Sequence, residues 1–273
     1  MCATCGCHTD QVSINGLMQE SPSLHWTRKH PAAASGSDAP IETSDQLKIR
    51  LEQDVLFQNQ VFAHQNRTYF ETLQIVTLNL VSSPGSGKTT LLEKTLTDLK
   101  HKVNCSVIEG DQQTSRDADR IRTTETPVVQ INTGKGCHLD AQMVFRAVQQ
   151  LEPVAKSFLF IENVGNLVCP ALFDLGETKR VVITSVTEGD DKPLKYPDIF
   201  HSAHVCILNK TDLLPYVPFN CETFKANARK VNPELEFFEL SALTGEGLNE
   251  WYNWLLQLKE KNEVIKELSK VGP

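Results

Sequence analysis

One stretch limits the folds open to this chain more than any other. It is Ser82-Ser83-Pro84-Gly85-Ser86-Gly87-Lys88-Thr89, entered from the apolar run Leu78-Asn79-Leu80-Val81. Downstream, Leu91, Leu92, Leu96 and Leu99 fall at helical spacing. An apolar strand, a glycine-rich turn and a helix in that order are the setting of a phosphate-binding loop. Gly85 and Gly87 let backbone N–H groups, that of Ser86 among them, curl around an anion without Cβ clashes. The helix points its positive end at the same anion. Lys88 is placed to neutralise the outer phosphates, and the Thr89 hydroxyl to ligate Mg²⁺; Thr90 joins the nucleotide-binding set. The general pattern, G-x-x-x-x-G-K-[ST], has Ser82 at its first position here. The bland reading of the stretch is a glycine-rich turn with a structural lysine.

Composition removes several classes. The 273 residues carry a net charge of −7, which argues against a scaffold that binds nucleic acid by neutralising phosphates. No apolar run approaches the roughly 20 residues that span a bilayer, and the first residues lack the basic and apolar regions of a secretory signal. The expectation is a cytoplasmic protein with no membrane partner. Eight cysteines, three of them within the first seven residues, do not read as a disulfide framework.

The chain opens Met1-Cys2-Ala3-Thr4-Cys5-Gly6-Cys7-His8. Three thiols at this spacing can converge on one soft or borderline divalent ion, Ni²⁺ in a planar set or Zn²⁺ in a tetrahedral one. A redox-active or incidental cluster is the alternative. Residues 9–44 are polar and poorly periodic and read as a linker, so the expected division is 1–44, a cysteine-rich metal-binding tail with its linker, and 45–273, a nucleotide-binding domain. The domain opens with an amphipathic helix over 45–70, whose stripe Leu47, Leu51, Val55, Gln58, Phe62 and Tyr69 is expected to pack on the main body. Strands follow at 75–81, 103–109, 127–131, 157–162, 180–186, 204–208 and 236–240. Helices are expected at 89–100, 115–123, 140–150, 221–230 and 247–268. Apolar strands alternating with amphipathic helices predict an α/β fold, a three-layer parallel sheet covered on both faces. In such folds ligands bind beyond the carboxyl ends of the strands.

The remaining motifs fall at those ends. Asp111 closes one strand and reads equally as a Mg²⁺ or water-positioning carboxylate and as the N-cap of the next helix. Glu162 ends another, and with Gly165 it resembles the segment in which an acid supports Mg²⁺ and a glycine N–H meets the γ-phosphate. Lys88, Thr89, Asp111 and Glu162 are thus the candidate catalytic residues. Thr133-Gly134-Lys135-Gly136-Cys137-His138 reads as an exposed loop. If Cys137, His138 and Cys169 approach one another they form an incomplete soft-metal set, open to completion by a second copy across a two-fold axis; otherwise they are a buried cysteine and a loop histidine. Asn209-Lys210-Thr211-Asp212 is a base-reading signature: the Asp212 carboxylate accepts two N–H bonds from the guanine edge, and the Lys210 stem covers the base. Ser241-Ala242-Leu243 lies in the loop that buttresses that base. Three motifs in order and spacing identify a GTP-binding P-loop domain, a GTPase domain.

Taken together, the tail thiols, the S-S-P-G-S-G-K-T loop, G-K-G-C-H-L-D-A at 134–141, E-N-V-G-N-L-V-C-P at 162–170 and N-K-T-D at 209–212 resemble the hydrogenase nickel-incorporation GTPases, the HypB family. The likeness runs from Asp45 to Leu258 and includes the tail. It implies a cytoplasmic GTPase that delivers Ni²⁺ to the large-subunit precursor of a [NiFe]-hydrogenase and works as a homodimer. It implies GTP or GDP with Mg²⁺, a tail nickel site at Cys2, Cys5 and Cys7, and an inner Ni²⁺/Zn²⁺ site at Cys137, His138 and Cys169. The implied partners are a HypA-type nickel chaperone and a SlyD-type prolyl isomerase. No histidine-rich tract is present, which favours delivery over storage. No glutamine stands where fast GTPases orient their water, so turnover is expected to be slow. A urease-type nickel GTPase is the nearest rival and lacks the C-x-x-C-G-C start. A metal sensor whose GTP only stabilises the fold would release no phosphate over multiple turnovers.

Overall fold

The computed structural model describes residues 12–18, 44–112 and 114–270. The tail thiols Cys2, Cys5 and Cys7 lie outside the described residues. The phosphate-loop strand is β3 (Val76–Ser82), buried along its whole length. The other parallel strands are β4 (Cys105–Asp111), β5 (Val128–Asn132), β6 (Phe158–Glu162), β7 (Lys179–Ser185), β8 (Val205–Asn209) and β9 (Glu236–Glu239). They run side by side in the order β5-β4-β6-β3-β7-β8-β9. Such burial on both faces is what continuous apolar strands require.

A hairpin at the sheet edge and the short helices between 192 and 202 were not expected. Within the stretch read as linker, β1 (Ser13–Ile14) and β2 (Leu17–Met18) form a hairpin that adds antiparallel to the β5 edge, pairing Ser13 with Asn132 and Ile14 with Ile131. Two-residue strands carry too little alternation to register as a pattern. Asn15 and Gly16 supply the left-handed backbone of the turn, and Ile14 is fully buried against Ile131, Leu139 and Val144.

The helices are α1 (Ser44–Thr72), α2 (Lys88–Leu99), α3 (Arg116–Arg122), α4 (Ala141–Leu151), α5 (Lys192–Lys195), α6 (Pro197–Ser202), α7 (Cys221–Val231) and α8 (Leu248–Lys270). Strand alternation sorts the sheet residues between its two faces. Val76, Leu78, Leu80, Val107 and Phe160 face α2 and α8, where Trp251 and Leu255 complete the core. Ile108, Leu159 and Ile161 face α4 and the end of α1. Val81, Val182 and Cys206 face α6 and α7. The α8 stripe of Trp251, Trp254, Leu255 and Leu258 packs as expected.

The α1 stripe does not. Leu51, Val55, Gln58 and Tyr69 are exposed, and Phe62 is half-buried. The buried face is Asn59, Ala63, Asn66 and Phe70. The asparagines win that face because irregular backbone lies beneath it. Asn59 Nδ2 donates to the Asp174 carbonyl and its Oδ1 accepts from Ala141 N. Asn66 Nδ2 donates to the carbonyls of Ala141 and Leu175. Buried polar groups stay buried when such partners exist.

Candidate functional site

The turn after β3 has the backbone its sequence demands. Gly85 and Gly87 hold φ of 77° and 92°, in the left-handed region that favours glycine. At Gly87 a Cβ would also come within 2.4 Å of Asn209 Nδ2. That close approach lets the base-reading strand touch the phosphate loop: Asn209 Nδ2 donates to the Ser86 carbonyl at 2.9 Å, and Lys210 Nζ to the Gly85 carbonyl at 2.6 Å.

Lys88 and Thr89 open α2. Lys88 Nζ lies 2.7 Å from Glu162 Oε1, and the Thr89 hydroxyl donates to the same oxygen at 2.5 Å. The strand order β4-β6-β3 makes this possible, because it sets the end of β6 beside the start of the loop. Glu162 Oε2 and the Ser86 hydroxyl are buried with no hydrogen-bond partner. An orphaned carboxylate oxygen beside a hydroxyl suits a hard divalent cation, which takes oxygen donors. Thr89 and Glu162 are the residues that would hold Mg²⁺.

Asp111 ends β4 as expected but does not cap α3, whose N-cap is Ser115. Its carboxylate accepts from Gln112 N, Thr114 N and the Thr114 hydroxyl, fixing the turn at the strand end. Thr90 accepts from Arg120, which also pairs with Glu93. Gly165 packs its backbone against Pro84; a Cβ there would sit 3.2 Å from that ring.

At the base-reading end, the Ser241 hydroxyl donates to Asp212 Oδ1 at 2.5 Å, and Ala242 N donates to Asn209 Oδ1 at 3.0 Å. These bonds orient the motif from the following strand end. Leu243, the third residue of that loop, is 80% exposed.

In the loops that follow β5 and β6 the thiol pair has assembled. Cys137 Sγ and Cys169 Sγ lie 2.8 Å apart, and Cys137 Sγ is 3.7 Å from His138 Nδ1. One ligand atom from each of Cys137, His138 and Cys169 falls within 4.8 Å of the others. Two soft sulfurs and an imidazole are a donor set for Zn²⁺ or Ni²⁺ with a position left open. The loop is not the exposed one expected: His138 is only 8% exposed and stacks on Phe173 at 3.9 Å. Burial lowers its pKa to about 4, so the ring is neutral and able to ligate at pH 7.

Several residues that motif reading passed over hold these parts together. Asn163 follows Glu162 and is 1% exposed. Its Oδ1 accepts from Leu139 N and Val164 N, and its Nδ2 donates to Asn79 Oδ1. Asn79 in turn donates to Glu177, which pairs with Arg180 inside the protein. Arg180 donates to the carbonyls of Ala171 and Phe173, clamping the turn that carries Cys169. Asn166 Nδ2 donates to the Cys137 carbonyl. Lys192 is buried between Ser83 of the phosphate loop and Glu188. Their sequence signal is a polar residue inside an apolar strand, as at Asn79 and Arg180, or just beyond one, as at Asn163 and Asn166. Glu109 is likewise buried on β4, and burial first, then the charges of Glu162 and Asp111, raise its pKa to about 8.

Residues 76–239 match the family of CobW/HypB/UreG nucleotide-binding domains. The hydrogenase maturation factor HypB of Azotobacter vinelandii is 49% identical, over 98% of this chain and 97% of its own. Two solved structures align with a TM-score of 0.70: HypB from Archaeoglobus fulgidus, 38% identical over 74% of this chain and 98% of that one, and HypB from Helicobacter pylori in complex with nickel, 40% identical over 75% and 96%.

Proposed function

The chain belongs to the HypB family of hydrogenase maturation factors, and from that premise we propose that it is a GTP-hydrolysing nickel metallochaperone whose nucleotide state sets its hold on the metal. The observation that carries the coupling is the segment Glu162–Asn166. Glu162 reaches Lys88 and Thr89, and Gly165 abuts Pro84, all on the phosphate side. Asn163 and Asn166 reach Leu139 N and the Cys137 carbonyl, on the thiol side. One five-residue segment therefore touches both sites, which gives a route by which a shift of the segment at one is felt at the other.

In this reading Asp212 accepts from the guanine edge, while Asn209 and Lys210 brace the loop beneath it. Lys88 leaves Glu162 for the outer phosphates when GTP enters. Thr89, Glu162 and Asp111 would hold Mg²⁺, which when bound would supply charge neutralisation at the phosphates. Water then cleaves GTP to GDP and phosphate, slowly in the isolated protein. Nickel is cargo, held by Cys137, His138 and Cys169 after deprotonation of the thiols. A second copy supplies the donors that three ligands leave open. Cys2, Cys5 and Cys7 form a tail site that acquires the ion. The recipient is the large-subunit precursor of a [NiFe]-hydrogenase, served together with a HypA-type chaperone and a SlyD-type isomerase in the cytoplasm.

A change of about 1.4 kcal/mol at the inner site is tenfold in metal affinity, so modest loop movement suffices. The test is a nickel titration of a Cys2/Cys5/Cys7-to-Ser variant with GDP and with a non-hydrolysable GTP analogue. Affinities that differ several-fold are expected. Equal affinities in the two states would remove the switch.

A further inference from the structure

Glu109 lies beside the phosphate side of the molecule without a role in the account above. It stands on β4 in direct register with Glu162 on β6. Val107 and Phe160, two residues before each, both pack in the core under α2, so strand alternation sends the two carboxylates to that same face, toward the start of α2. Glu109 is 1% exposed, and its Oε2 is buried with no hydrogen-bond partner. Glu162 Oε2, next to it in the sheet, is orphaned in the same way. Two unsatisfied buried carboxylate oxygens on neighbouring strands cost free energy unless something fills the space between their demands.

The charges around Glu109 show what that must be. The charges that act on it most strongly are the acids Glu162 and Asp111 and the cation Lys88, then Asp117. Lys88 already donates to Glu162. Under the nucleotide reading, on which this inference rests, Lys88 turns to the phosphates when nucleotide binds. Glu109 and Glu162 then face one another without that ammonium, while Arg120 stays with Asp117 at the start of α3. We propose that Glu109 is a further carboxylate of the divalent-cation site, working with Glu162, Thr89 and Asp111 and accepting hydrogen bonds from water on the bound ion. The site is then richer in carboxylates than phosphate-loop motifs alone indicate. Glu109 acts as a positioning residue for the cation and its water, not as a group that touches the γ-phosphate.

The experiment titrates Mn²⁺, as a paramagnetic probe, into the GDP complex of the full chain and follows free Mn²⁺ by electron paramagnetic resonance. Glu109→Gln, nearly isosteric, should weaken Mn²⁺ binding about tenfold, the scale at which outer-shell partners act. The affinity for GDP in EDTA should stay at the wild-type value, a split that a general loss of structure would not produce. Glu109→Asp keeps the charge and draws it back by one methylene; it should also bind Mn²⁺ more weakly and covers the case in which the glutamine variant fails to fold. Wild-type Mn²⁺ affinity in both variants would overturn the assignment of Glu109 while leaving the nucleotide site in place. A wild-type GDP complex that does not take up Mn²⁺ at all would overturn the nucleotide reading itself.

Discussion

The nucleotide side and the thiol side of the same sheet are built on opposite electrostatic plans. On the nucleotide side each group that would meet ligand rests on a protein partner: Lys88 on Glu162, Lys210 on the Gly85 carbonyl, Asp212 on Ser241. Those are charged groups, held in place by bonds that ligand can replace. On the thiol side the groups rest on one another. Cys137 meets Cys169, and His138 is buried on Phe173 and kept neutral. In the proposed function the first site exchanges partners when it fills. The second must shed thiol protons to fill, and this ties its affinity to pH and to small movements of its loops. The contrast explains why Glu162–Asn166 matters: it is where a site that swaps partners adjoins a site that can only tighten or loosen.

Separation of the two plans can be tested by breaking one at a time. Lys88→Ala should lower phosphate release from GTP by on the order of 10²–10³-fold, the usual cost of one preorganised donor to developing charge; inner-site nickel binding, read by titration, should be unchanged. Cys169→Ala should do the reverse. Metal affinity should fall by at least about 100-fold, since even outer-shell partners cost 10–100-fold, while GDP affinity stays within a factor of two. A large loss of GDP binding in this variant would show that the two sides are one site. Asp212→Asn should weaken GTP by roughly 30-fold, the worth of a hydrogen bond to a charged group, and strengthen xanthine nucleotides, measured by competition.

Asn163→Ala aims at the junction itself. It strands Leu139 N and Val164 N, which should lower stability by about 2 kcal/mol in a denaturant melt. It should also shrink the difference in nickel affinity between GDP and GTP-analogue states; an undiminished difference would route the coupling elsewhere. The smallest effect concerns the clamp behind Cys169. His204 accepts from Arg180 N, and burial, then the charge of Lys179, lowers its pKa below 6.5. Above pH 6.5 both folded and unfolded chains hold it neutral. Below 6.5 the unfolded chain takes up the proton first, so stability falls with falling pH until the folded chain's lower pKa is passed. His204→Asn should flatten that part of the pH profile of apo-protein melting.

Much of the fold was legible because its signals are local. Strand–glycine–helix at 78–99 and the strand that runs into Asn209-Lys210-Thr211-Asp212 each specify chemistry within one continuous stretch of chain. Helix α1 was read with the wrong face because periodicity counts apolar side chains, and the buried face there is carried by Asn59 and Asn66. Leu51 and Val55 satisfy the helical period and remain in solvent. Two glycines before it make the His138 loop read as exposed; the residue does lie in a loop, but a buried one. Its burial comes from Phe173, which no spacing rule connects to it.

The amino-acid sequence by itself determined which chemistries this protein can hold: a glycine turn for phosphate, a carboxylate for a purine edge, thiols and imidazole for a soft ion. Those depend on backbone freedom and side-chain type at adjacent positions. Tertiary structure decided which of them meet. Lys88 and Glu162 are 74 residues apart, and Cys137 and Cys169 are 32 apart. Strand order closes the first gap by placing β6 beside β3. The buried Asn79, Asn163 and Arg180 hydrogen bonds close the second, because carbonyls and amides taken out of water must find each other across whatever length of chain separates them.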